Sequence, residues 1–111
     1  MAVKSDILHQ QVSRHYLEEQ LSGLAPIPLL VRVYDAAIIS CIREDRDRLS
    51  RALVELISSL NFQYQEVALG LFRLYSYCLR EGKKGNFDKV KPIMVELRDA
   101  WVEAEKSTQS S

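Results

Sequence analysis

The chain has 111 residues, 47% of them hydrophobic, which is enough for one domain around a single core and gives no reason to expect a second. Lys+Arg and Asp+Glu both number 15, so the formal net charge is +0 and the positive surplus that phosphate-rich partners attract is missing. Nucleic acid is therefore not an expected ligand. The start, Met1-Ala2-Val3-Lys4-Ser5-Asp6, has no apolar signal-peptide core, and Arg32 and Asp35 interrupt the most apolar run, residues 29–42, before it could span a bilayer. The expectation is a soluble cytoplasmic protein without membrane insertion. Cys41 and Cys78 stand apart from each other and from both histidines, so they read as reduced core thiols and not as zinc ligands.

Apolar residues recur at helical spacing almost throughout, which predicts an all-α fold. A first segment, about Ser5 to Leu21, carries Ile7, Leu8, Val12 and Tyr16 on one narrow side and is otherwise polar. Weak docking is expected of it. Ser22-Gly23-Leu24-Ala25-Pro26 then breaks the chain, and Pro26 suits the first turn of a second helix, where its missing amide hydrogen would have had no intrahelical partner. That helix presents Leu29, Leu30, Val31, Val33, Tyr34, Ala36, Ala37, Ile38, Ile39, Cys41 and Ile42, with only a thin polar strip of Arg32, Asp35, Ser40 and Arg43. A helix apolar around most of its circumference has to be covered on several sides, so its expected place is the centre of the bundle.

The run Arg43-Glu44-Asp45-Arg46-Asp47-Arg48 is the natural turn, with Asp45 or Asp47 capping the third helix, although neither glycine nor proline forces a reversal. Without a turn, the second and third helices would form one long rod needing a partner chain, as in a swapped dimer. The third helix, about Arg46 to Leu60, has its stripe at Leu49, Leu53, Leu56, Ile57 and Leu60. The fourth, about Tyr64 to Arg80, has one face in Val67, Ala68, Leu71, Leu74, Tyr75 and Cys78, while Leu69, Phe72 and Leu79 extend the apolar surface around it. Gly82 and Gly85 suit its end. The fifth, capped by Asn86, repeats Phe87, Val90, Met94, Leu97, Trp101 and Ala104; Pro92 predicts a kink, or a regular start only near Lys91. The architecture expected is an antiparallel up-and-down four-helix bundle with an additional N-terminal helical segment, one domain over residues 1–106, and a tail over residues 107–111 without an apolar anchor.

Several of these residues form an ordered series. Tyr16, Pro26 and Val33-Tyr34-Asp35-Ala36-Ala37 come first, followed by Glu55-Leu56-Ile57-Ser58-Ser59-Leu60-Asn61, then Leu74-Tyr75-Ser76-Tyr77, and finally Ala100-Trp101. The series resembles the FliS family of flagellar export chaperones over about three quarters of the chain, from Tyr16 to Glu103. Ala25 stands where the family has a helix-start serine and Ala36 where it has a glycine, and two inter-motif segments look shorter than is usual. A shortened bundle is the result.

The resemblance implies a cytoplasmic chaperone that binds the C-terminal helical region of flagellin, or of a related secreted filament subunit, in a hydrophobic groove and so prevents premature polymerisation. It implies no cofactor and no metal. The alternative is a self-associating adaptor bundle, for instance a homodimer, without a flagellin client. In the family, the tyrosine matching Tyr16 lies in an N-terminal segment that covers the client groove, which makes residues 1–21 an expected lid.

By pattern, Leu30, Leu69, Phe72 and Tyr77 lie off the densest stripes and are groove candidates, whereas Tyr34, Leu74, Tyr75 and Trp101 sit at core spacing. The partner-binding set expected is Tyr16, Leu30, Tyr34, Leu69, Phe72 and Tyr77, with Tyr34 read both ways. Catalysis has little support. His15 with Glu18 and Glu19 reverses the order a metal bundle needs, and Gly82 and Gly85 follow a helix instead of a strand, unlike a phosphate loop. Asp35 reads as a surface residue or a hydrogen-bonded structural one, in preference to a catalytic acid.

Overall fold

A computed structural model describes residues 27–109, with side chains described as far as Lys106. These residues form four helices: α1 (Ile27–Ile42), α2 (Arg46–Ser58), α3 (Gln65–Lys83) and α4 (Phe87–Gln109). No strand occurs among them, so the described fold is all-α. Each helix packs on the next in sequence, and α1 and α4 close the ring through the most extensive contact of all. The segment expected as an N-terminal helix lies outside the described residues.

A turn does separate α1 from α2, and its hydrogen bonds show why glycine and proline are unnecessary there. Asp45 N–H donates to the Ser40 carbonyl at 2.9 Å and Glu44 N–H to the Cys41 carbonyl at 3.2 Å, the paired bonds that terminate a helix on a left-handed residue. Glu44 occupies that position with φ 56°. Asp45 then caps α2 by accepting from Arg48 N–H at 3.1 Å. The single-rod alternative is therefore not adopted.

At the end of α3 the same motif recurs with its usual residue. Gly85, at φ 82°, donates to the Gly82 carbonyl at 3.0 Å and Asn86 to the Glu81 carbonyl at 2.9 Å. Gly82 serves packing instead. A Cβ there would lie 2.7 Å from Leu49 Cδ2, so its bare backbone is what lets α3 approach α2. Asn86 precedes α4 as expected, yet its side-chain amide is turned back to donate to Glu81 Oε1 at 3.2 Å.

α4 starts where the Asn86–Phe87 pattern places it and runs past its expected end. It begins at Phe87, not near Lys91, and passes through Pro92 unbroken. Pro92 is exposed, as is Asp88, whose carbonyl loses its helical donor and can take water instead. The helix also continues to Gln109, past the expected start of the tail. The core is one cluster contributed by every helix, with Tyr34, Leu49, Leu53, Leu71, Met94, Leu97 and Trp101 among its largest members.

α1 is less enclosed than its composition predicts. It buries Ile27, Leu30, Tyr34, Ala37 and Cys41 between its neighbours, but Leu29, Ile39 and Ile42 remain 49%, 46% and 62% exposed. Two neighbours cover less than the full circumference of a helix, so the outer edge of α1 keeps apolar side chains in water.

Candidate partner-binding site

The aromatic members of the three sequence motifs meet inside the protein. Tyr34 on α1 and Tyr75 on α3 join their hydroxyls in a buried hydrogen bond, with ring centroids 6.4 Å apart and tilted by 52°. Trp101 on α4 donates its indole N–H to the Tyr34 hydroxyl at 2.9 Å. One turn earlier on α4, Arg98 donates from Nε to the carboxylate of Asp35. Consecutive residues of α1 thus engage residues three apart on α4, spacing that places both α4 partners on one helix face.

This arrangement changes the reading of Tyr34. It is 0% exposed, and Leu30 only 4%, so neither offers a surface to another chain in this structure. The physical reason is that a buried hydroxyl needs hydrogen-bond partners, and Tyr75 and Trp101 supply them from two other helices. A slip of α1 along α4 would break these bonds as well as the packing, so the tyrosines and the tryptophan hold register. Asp35 is a structural residue, as its isolation predicted. Its pair with Arg98 is partly exposed, which limits it to about 1 kcal/mol or less.

Of the other sequence candidates, Leu69 and Phe72 remain open, 42% and 40% exposed. They sit three residues apart on α3, about 60° from each other around the axis, while Ala68, Leu71, Tyr75 and Cys78 turn the opposite flank into the core. Tyr77 does not join them. It is half-buried against the core, and it adds a lesser contribution to the raised proton affinity of Lys89, which comes first from the Glu81 carboxylate. Tyr16, with the expected lid segment, lies outside the described residues.

Pattern reading did not assign Leu29, Ile39, Ile42, Val54 and Phe62 to the surface, although each is exposed. A signal was available for α1: Leu29, Arg32, Ala36, Ile39 and Arg43 follow steps of three and four, so two arginines mark the outward edge that Leu29 and Ile39 share.

The polar groups of the interior serve the fold. Glu81, near the end of α3, accepts from Lys89 at 3.2 Å and Asn86, and pairs with Lys84 at 3.3 Å. The Lys89 and Asn86 bonds hold its carboxyl below the usual range, against an opposing effect of burial. Burial pushes the Cys41 thiol up to about 11, only partly countered by Lys91, so at neutral pH it is protonated. Among the described residues no group of three or more His, Cys, Asp and Glu side chains could hold a metal ion, and no helix is long and apolar enough to cross a membrane.

The described residues thus form an all-α scaffold whose buried Tyr34, Tyr75 and Trp101 bond to one another and whose surface keeps several large apolar side chains. The family model for flagellar protein FliS matches residues 8–108, and the chain belongs to that family of flagellar chaperones. No curated protein and no solved structure matched the chain.

Proposed function

We propose that the protein is a cytoplasmic export chaperone that covers the C-terminal helical region of flagellin, or of a related secreted filament subunit, and so prevents its premature polymerisation. The scaffold is an antiparallel up-and-down bundle, and the face offered to the client centres on Leu69 and Phe72 of α3. The observation that carries this reading is their 42% and 40% exposure on a helix whose other flank already fills the core. Filament subunits bury apolar helix faces against other copies of themselves. A chaperone that presents a matching apolar stripe substitutes for those copies until export.

Calorimetric titration with a flagellin C-terminal peptide tests the proposal. Binding to the wild-type protein, weakened at least tenfold by Leu69→Ser combined with Phe72→Ser while the circular dichroism spectrum is kept, is the expected result, since each exposed anchor is worth about 1 kcal/mol or more. Undiminished binding by the double variant refutes the assignment of the face. A tight homodimer that hides Leu69 and Phe72 and takes up no peptide supports the adaptor reading instead.

A further inference from the structure

A second surface lies away from α3, in the cleft between α1 and α2. It is an open cleft of about 470 Å³ whose lining includes the apolar residues Val33, Ala36 and Ala52. Ile39, 46% exposed, stands among the lining residues as a ready apolar contact. Four arginines, Arg32, Arg43, Arg48 and Arg51, line it against two carboxylates, Asp45 and Glu55. Asp45 is already engaged, pairing with Arg48 at 3.6 Å and capping α2. The cleft therefore concentrates a positive surplus in a chain whose net charge is +0.

We propose that this cleft docks an acidic amphipathic helix of a partner protein, separately from the client face on α3. Three features select that occupant. The cleft runs along two packed helices, and from Arg32 to Arg43 it extends about 16 Å, or three helical turns, the length over which a third helix can lay its side-chain ridge. Its apolar lining, Val33, Ala36 and Ala52, takes the partner's hydrophobic side chains, and Ile39 packs beside them. Arg32, Arg43 and Arg51 then face carboxylates flanking that apolar stripe, which sets polarity and speeds encounter. A nucleic acid fits less well, because the lining has no aromatic ring for a base to stack on and two carboxylates that repel phosphate.

Fluorescence anisotropy with labelled synthetic helices tests this on the full chain. Two peptides of about four turns share one leucine stripe and differ only in flanking residues, glutamate in one and glutamine in the other. The acidic peptide is expected to bind about tenfold tighter, to weaken as salt rises, and to lose about tenfold in affinity with Arg32→Glu plus Arg51→Glu. Both arginines are exposed, so the variants keep the fold; the Leu69→Ser and Phe72→Ser pair leaves this binding unchanged and keeps the test independent of the flagellin reading. Equal binding of the two peptides, indifference to the arginine reversals, or tighter binding of a short single-stranded DNA overturns the proposal.

Discussion

Glu44 holds the α1–α2 turn in a conformation that costs an L-residue energy. Its φ of 56° lies in the left-handed region, where Cβ crowds the following carbonyl at a cost of about 1–2 kcal/mol. The turn compensates with two hydrogen bonds at 2.9 and 3.2 Å and with the Asp45 cap. Replacing Glu44 by glycine removes the crowding and keeps the bonds, while glycine's greater freedom in the unfolded chain returns roughly 0.5–1 kcal/mol of the gain. Glu44 is exposed, so little packing changes. Glu44→Ala serves as the reference, because it deletes the carboxylate but retains Cβ. Glu44→Gly is expected to exceed Glu44→Ala in stability by about 1 kcal/mol, roughly 4 °C in Tm for a domain of this size. Urea and thermal unfolding followed by circular dichroism measure the difference. At Gly85, with φ 82°, substitution by alanine lowers stability by a comparable amount. Equal stability of Glu44→Gly and Glu44→Ala refutes the left-handed turn and reopens the continuous α1–α2 rod.

Gly82→Ala should destabilise by about 1–2 kcal/mol, since its Cβ meets Leu49 Cδ2 at 2.7 Å in a full core, despite alanine's better helix propensity. In a Leu49→Ala background the same change should become neutral or favourable, and additivity of the two substitutions in urea denaturation refutes the contact. The Glu81 carboxyl titrates below its unfolded value, chiefly because Lys89 and Asn86 bond to it. Its stabilising contribution is therefore complete above an unfolded pKa of about 4.3 and fades as the pH falls through the lower folded value. Wild-type and Glu81→Gln proteins should differ in unfolding free energy at pH 7 and converge in acid; a difference that persists at the lowest pH contradicts the linkage.

The helices are legible in the sequence because each part of the pattern carries its own local physics. The stripe at Leu49, Leu53 and Leu56, the cap at Asp45 and Gly85 after α3 act within a few residues of themselves, and each appears at its expected place. The alternative start of α4 near Lys91 is not taken, because an exposed proline in an early turn costs less than one whose freed carbonyl is buried. The candidate site is legible in part. Leu69 and Phe72 stand off the dense stripe of α3 and are exposed, but Leu30 and Tyr34 share the pattern of surface and core alike, and only their neighbours place them inside.

Composition, periodicity and motif order by themselves determined the helices of the described residues, the turn at Asp45 and the family, because helix formation and capping depend on near neighbours along the chain. Tertiary structure alone decided that Tyr34, Tyr75 and Trp101 spend their polar atoms on each other, and that Ile39 and the arginines of the α1–α2 cleft remain available. Burial is a property of the groups opposite a side chain, and in this fold those groups come from residues tens of positions away.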